Sequence, residues 1–232
     1  MTPADRVIVA LDAPDLAAAQ AIAKRLQGLV RYVKIGSILF TAEGPAAVAR
    51  MRELGFEVFL DLKFHDIPST VEKSCRAAVR HGVWMLTVHA AGQRQMLEAA
   101  AAGARDEART RGLAAPMIVG VTVLTSVGDA TAQTMTRRVV RLAQDAVAAG
   151  LDGVVASAGE AKAIRKACGP ELRIVCPGIR APGEPRGDQA RTFSAAQAAR
   201  RGASYLVIGR PITHAADPRG VVERLAKELE DV

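Results

Sequence analysis

The sequence predicts an α/β protein built as a single (β/α)8 barrel, the TIM-barrel architecture, on three observations. Eight short apolar runs rich in β-branched residues recur along its 232 residues. Nearly every gap between them holds an alanine-rich segment whose apolar positions repeat with the 3.6-residue period of a helix. Several of those segments stop at a glycine, the residue that most readily adopts the left-handed backbone of a helix end. Continuous apolar strands alternating with helices describe a parallel sheet buried on both faces. Eight such units in this length are the number that closes a barrel.

Taken in order, the first run is Val7–Leu11, followed by the periodic segment Leu16–Leu26. Tyr32–Ile35 comes next, then Pro45–Leu54, ended by Gly55. The third run, Glu57–Leu62, leads to the segment Thr70–Arg80 and Gly82. Met85–His89 and Pro116–Leu124 are the fourth and fifth runs, and Arg137–Ala149 closes at Gly150. Gly153–Ser157, Arg173–Pro177 and, after Gly202, Tyr205–Gly209 complete the set. A doubly wound open sheet is the alternative, but it normally carries a glycine fingerprint at its first strand–helix turn. Leu11-Asp12-Ala13-Pro14 has none. No linker divides the chain, so one domain over 1–232 is expected. The irregular stretch Arg180–Asp188 reads as a mobile loop over about 180–189. It can be a tolerated insertion, yet its place at a strand's C-terminal end suits a functional lid.

Composition narrows the classes. Half of the residues are hydrophobic but only 3% are aromatic, which favours close helix-on-sheet packing of Ala, Val, Leu and Ile over an aromatic interior. No apolar stretch approaches the length of a membrane span, and the polar start Thr2-Pro3-Ala4-Asp5-Arg6 is unlike a secretory signal. A cytoplasmic protein is expected. Cys75, Cys168 and Cys176 form neither a CxxC pair nor a disulfide framework and read as small buried hydrophobes. The net charge of +7 and pI near 9.8 point to an anionic partner. A basic nucleic-acid module would explain that charge, but the cations are scattered and stacking aromatics are few. A field that steers a small phosphorylated substrate fits better.

Catalytic groups of such a barrel sit at the C-terminal ends of its strands. Those ends carry Asp12 after the first run, Lys34 in the second, Asp61, Lys63 and Asp66 at the third, His89 at the fourth and Thr125 after the fifth. Asp61 and Lys63 are two residues apart, so on an extended segment they point the same way. Lys34 offers a second cation to the same cluster. On spacing alone the pair can equally be a solvated ion pair. His65 and His89 read as a polar loop residue and a rim support. A second group suits phosphate. Pro177-Gly178-Ile179-Arg180 closes the seventh run and Ile208-Gly209-Arg210-Pro211 the eighth. Barrels often hold phosphate between these loops, on backbone N–H groups exposed by glycine and on a bidentate arginine.

Val9-Ala10-Leu11-Asp12, Val33-Lys34-Ile35-Gly36, Asp61-Leu62-Lys63-Phe64-His65-Asp66-Ile67-Pro68, Val88-His89-Ala90-Ala91, Pro177-Gly178-Ile179-Arg180 and Ile208-Gly209-Arg210 occur in that order. The pattern resembles the orotidine 5'-monophosphate decarboxylases in their compact bacterial form, across essentially the whole chain. The resemblance implies cofactor-free decarboxylation of orotidine 5'-monophosphate to uridine 5'-monophosphate and CO2, the last step of de novo pyrimidine nucleotide synthesis. It implies Lys63 as proton donor in an alternating network with Lys34, Asp61 and Asp66. Asp66, Ile67 and Thr70 would serve the neighbouring site of a homodimer. Asp12 and Lys34 would hold ribose hydroxyls, and Thr125 the pyrimidine edge, with Thr122 and Ser126 as open alternatives in that register. Pro177, Arg180, Gln189, Gly209 and Arg210 would line the phosphate end. The nearest rivals, metal-dependent sugar-phosphate lyases on a related barrel, resemble this chain in DxKxxD but place an acidic residue on strand two for Mg²⁺. Lys34 there would repel a divalent cation, so no metal is expected.

Overall fold

The computed structural model describes residues 2–124, 131–180, 192–230 and 232. Eight strands, β1 (Val7–Ala10), β2 (Tyr32–Gly36), β3 (Glu57–Phe64), β4 (Met85–His89), β5 (Met117–Val121), β6 (Gly153–Val155), β7 (Arg173–Cys176) and β8 (Tyr205–Ile208), pair in parallel in chain order. β8 returns to β1 through the register Ile8 with Val207, which closes the barrel. The predicted runs are all present. β5 and β6 are shorter than expected, and β3 runs on two residues to Phe64.

The helices follow from local signals. α1 (Leu16–Leu26) starts at Asp15, whose side chain accepts the Ala18 N–H. α2 (Ser37–Glu43) and α3 (Pro45–Glu53) share the β2–β3 connection. α4 (Pro68–Arg80) begins two residues before the predicted segment because Pro68, with no N–H to lose, is suited to the first turn. α5 (Gln93–Arg111) is the longest, and α6 (Ala132–Ala148) is capped by Thr131. α7 (Ala158–Cys168) is capped by Ser157, and α8 (Ala195–Arg200) by a reciprocal Ser194–Gln197 box. α9 (Arg210–Thr213) and α10 (Pro218–Glu230) follow β8. Gly55, Gly82, Gly150 and Gly202 all have the positive φ of a helix stop.

Period-two alternation along each strand divides the core into two shells. Val7, Val9, Val33, Ile35, Val58 and Leu60 face the helices, which cover them with Ala, Leu, Ile and Val as expected. Ile8, Ala10, Phe59, Met85, Val119, Val175 and Val207 fill the lumen. The lumen departs from expectation at its base. The only tryptophan and both tyrosines gather at the strands' N-terminal ends. Tyr32 stacks on Trp84 with ring centroids 3.9 Å apart, and Tyr205 meets both edge-on. Scarce aromatics have been concentrated where wide rings plug the barrel floor. Cys75 and Cys176 are buried thiols pushed up to about 12 by desolvation, and Cys168 is half-buried. Among the described residues, no helix is long and apolar enough to cross a membrane.

α4 and α5 are tied by charge as well as packing. Glu107, nearly buried on α5, accepts from Arg80 and Arg111 and lies 3.7 Å from Arg76. Hydrogen bonds from Arg80 and Arg111 hold its carboxyl down at about 2. A depressed carboxylate stabilises the fold fully above its unfolded value, near 4.5, and loses that contribution as pH falls towards 2. Glu107→Gln is therefore expected to lower Tm at pH 7 and to lose less between about pH 5 and pH 3 than the parent. Thermal denaturation across that range checks it; parallel curves for the two proteins would show that the carboxylate contributes nothing.

Candidate active site

The alternation that fills the lumen also builds its mouth. Two residues beyond Ala10, Tyr32, Phe59, Met85, Val175 and Val207 stand Asp12, Lys34, Asp61, Thr87, Pro177 and Gly209. The same strand faces that present apolar groups lower down thus present polar groups and backbone at the C-terminal end. Parallel pairing sets Lys34 opposite Phe59 and Gly36 opposite Asp61, which brings β2 and β3 together at this level.

Three of these residues are charged, and with Lys63 they form a row. The Lys34 ammonium lies 3.1 Å from Asp12 Oδ1 and 3.5 Å from Asp61 Oδ2. The Lys63 ammonium lies 2.9 Å from the same Asp61 oxygen. Side-chain exposure is 10% for Lys34 and 12% for Asp61, against 37% for Lys63 and 51% for Asp12. The two inner groups are largely withdrawn from water and need each other, since an unpaired buried charge is severely penalised. The row runs minus, plus, minus, plus from Asp12 to Lys63. Lys63, at the outer end, is the more open of the two cations.

Lys63 reaches that position by a backbone departure that strand spacing does not foresee. Its φ is +52°, in the left-handed region that a lysine seldom occupies. Between the pairs Leu60–Leu86 and Phe64–Val88 the register shifts, so Asp61, Leu62 and Lys63 oppose Thr87 alone. This is a bulge, a device that re-aims side chains beside active sites. The Thr87 hydroxyl, fully buried, occupies the gap: it accepts the Lys63 N–H at 2.8 Å and donates to Asp61 Oδ1 at 3.1 Å. The expectation that Asp61 and Lys63 side chains meet holds; the extended backbone assumed for it does not.

A cavity of about 410 Å³ opens beside the Asp12–Lys34 end of the row. Its walls include Ile38, Pro177, Gly178, Arg180, Gly209, Arg210 and His214. The two predicted phosphate loops therefore face the charge row across one space. α9 is a single turn headed by Arg210, with Gly209 before it, so the guanidinium and loop backbone rather than a long helix dipole supply the positive character. The Arg180 side chain donates to the Ile179 carbonyl at 2.8 Å, and its backbone N–H to that of Phe193 at 3.0 Å.

Other expected residues lie elsewhere. Asp66, Ile67 and Thr70 are exposed on the turn into α4; Asp66 accepts the Ile67 N–H, and Ile67 is 64% exposed. None of the three joins its own chain's charge row. Thr122 is buried, with its hydroxyl donated to the Val155 carbonyl at 2.9 Å. Thr125, Ser126, Gln189 and the 181–189 part of the predicted loop lie outside the described residues. His89 stands at the rim with its ring 5.2 Å from that of His65. Burial, with nearby His65 and Lys63, moves its pKa below the ordinary imidazole range. Residues that sequence reasoning passed over are Thr87, Gly36, Ile38 and His214. Thr87 was recoverable from its two-residue offset from Met85, and His214 from its place four residues beyond Arg210.

The sequence profile of the orotidine 5'-phosphate decarboxylase / HUMPS family matches residues 5–225. The chain belongs to this family. A relative named orotidine 5'-phosphate decarboxylase from Moorella thermoacetica is 52% identical, over 98% of this chain and 93% of the relative. One of the same name from Alcanivorax borkumensis is 46% identical over 99% of this chain and the full relative. Among solved structures, orotidine 5'-phosphate decarboxylase from Lactobacillus acidophilus matches with a TM-score of 0.84 and 34% identity, covering 97% of this chain and 99% of that one. Family membership agrees with the closed eight-stranded barrel.

Gly36 is the tightest of the newly found positions. A Cβ there would lie 2.9 Å from Lys34 Nζ and 3.2 Å from Asp12 Oδ1, while its backbone is extended and open to any residue. Gly36→Ala is expected to displace the Lys34 ammonium and lower catalytic efficiency on the order of tenfold. Tm should change by no more than about 3 °C. Kinetics with a parallel melting curve check this, and unchanged kinetics would mean Lys34 tolerates the shift.

Proposed function

We propose that this chain decarboxylates orotidine 5'-monophosphate to uridine 5'-monophosphate and CO2, a step of pyrimidine nucleotide synthesis, with Lys63 as proton donor. The reading rests most on one observation: an ammonium held 2.9 Å from a nearly buried carboxylate, on a backbone turned out of the strand to present it. In the reaction the C6–carboxylate bond breaks and its electron pair stays in an sp² orbital that the ring cannot delocalise. A fixed cation beside C6 stabilises that pair electrostatically and then transfers a proton to it, leaving a neutral amine that recovers its proton from solvent. Asp61 holds the ammonium in a site from which water is partly excluded.

Arg180, Gly209 and Arg210 take the phosphate, with Gln189 as a further ligand, and Pro177 lines that end. Asp12 and Lys34 hold ribose hydroxyls, and Thr125 the pyrimidine edge. Binding energy gained at the phosphate supports closure over the ring, the role of the loop at about 180–189. No metal is assigned a step, because the Lys34 ammonium occupies the position at which a divalent cation would need a carboxylate. The protein acts in the cytoplasm as a homodimer. Exposure of Asp66, Ile67 and Thr70 beside the mouth supports their delivery to the partner's site, where Asp66 extends the charge row past Lys63.

Two measurements test this. Incubated with orotidine 5'-monophosphate in EDTA, the parent should consume the substrate's ultraviolet absorbance, and Lys63→Ala should lose on the order of a thousandfold or more in kcat. Robust turnover by Lys63→Ala would reassign the proton donor. For the dimer, Lys63→Ala and Asp66→Asn should each be nearly inactive alone. Mixed and allowed to exchange subunits, they should recover roughly one quarter of parental activity, because half the dimers regain one complete site. No recovery despite demonstrated exchange would place Asp66 in its own chain's site or in none.

A further inference from the structure

We propose that Thr87 is a positioning residue for the proton-donating lysine, an inference that rests on the assignment of Lys63 above. Thr87 is the only residue of β4 facing the three-residue bulge of β3, and it is fully buried. Its hydroxyl has two ligands and both belong to the charge row: the Lys63 amide at 2.8 Å and Asp61 Oδ1 at 3.1 Å. In a regular parallel ladder the Lys63 N–H would bond to a backbone carbonyl of the neighbouring strand. Here the bulge removes that partner, and a buried N–H without an acceptor is strongly disfavoured. The threonine oxygen is the substitute acceptor.

The same oxygen carries the one proton that links it to Asp61. Accepting from Lys63 orients the hydroxyl so that its hydrogen points at the carboxylate, which fixes Oδ1 and leaves Oδ2 for the two ammoniums. One side chain therefore sets two things at once: the left-handed turn that aims Lys63, and the rotamer of the carboxylate that holds its ammonium. A left-handed lysine is disfavoured and persists only where its surroundings over-determine it. Asp61 and Lys34 act on side chains alone; Thr87 reaches the backbone of the strained residue. Misplacement of a reacting group by an ångström is enough to cost about a hundredfold in rate.

The test compares Thr87→Val, which keeps the branched shape without the hydroxyl, with Thr87→Ser, which keeps the hydroxyl alone. Thr87→Val is expected to lower kcat by on the order of ten- to a hundredfold. Its KM and its affinity for uridine 5'-monophosphate should stay within about threefold, since the phosphate and ribose contacts are untouched. Thr87→Ser should restore most of kcat. Thr87→Ala carries the same comparison if the valine variant does not fold. A folded Val or Ala variant with parental kcat overturns the proposal, as does a serine variant no better than valine. So does a loss in which kcat and product affinity fall while KM rises in step, the mark of a general structural defect. Lys63→Ala assayed alongside keeps the two assignments apart. If it still turns over, the lysine assignment fails; if it is inactive while Thr87→Val is fully active, only the role of Thr87 falls.

Discussion

One carboxylate holds the mouth of this barrel together. Asp61 is nearly buried, and one of its oxygens serves two ammoniums while the other takes the Thr87 hydroxyl. Two cations that touch the same oxygen repel each other by about 2–4 kcal/mol at an effective protein dielectric. Without the carboxylate, Lys34 would be a buried charge facing a second one, and Lys63 would swing toward water. The bulge, the left-handed turn and the glycine at position 36 all accommodate that single arrangement. Gly36 leaves room for the Lys34 ammonium, and the bulge brings Lys63 back over Asp61.

The site thus combines a regular element with an irregular one. Regular alternation delivers Asp12, Lys34, Asp61 and Thr87 to one level without strain, because each sits two residues above a lumen residue. That level alone would offer an inward-facing, tightly paired cluster. The irregularity at Lys63 gives that network an outward end, a cation more than three times as exposed as Lys34, and the proposed proton transfer starts there. The barrel wall beneath it is ordinary and densely packed, and rigidity of that wall is what lets the turn persist.

Much of this was legible in the sequence because it depends on local periodicity. Eight apolar runs with helical segments between them specify a closed parallel sheet, and glycine stops at Gly55, Gly82, Gly150 and Gly202 mark the helix ends. The parity that places Lys34 and Asp61 on one face is likewise a counting argument. What could not be read depends on pairing between distant strands. The slip of β3 against β4 is a property of two segments more than 20 residues apart, and nothing in Asp61-Leu62-Lys63 announces it. Thr87 passed as an ordinary strand residue for the same reason: its significance lies in what stands opposite. The aromatic floor escaped because composition counts residues and not where they meet. Asp66 is a different case, since it stands exposed outside the row and its proposed role belongs to a second copy of the chain.

The aromatic floor and the polar mouth lie at opposite ends of the same strands, and the mouth itself divides by strand. The charge row belongs to β1–β3 with β4 in support, the proposed phosphate end to β7 and β8, and Asp12 is the seam, paired to Lys34 and sharing a cavity with Gly209. This layout keeps the groups proposed for the reaction apart from the loops proposed for phosphate. In engineering terms it is a chassis: strands β2–β4 can be rewritten for a new chemistry while the loops after β7 and β8 are left as they stand. Lys34 is the position on which such a rewrite turns, for a carboxylate in its place would make an organic cation's berth into one for a metal ion.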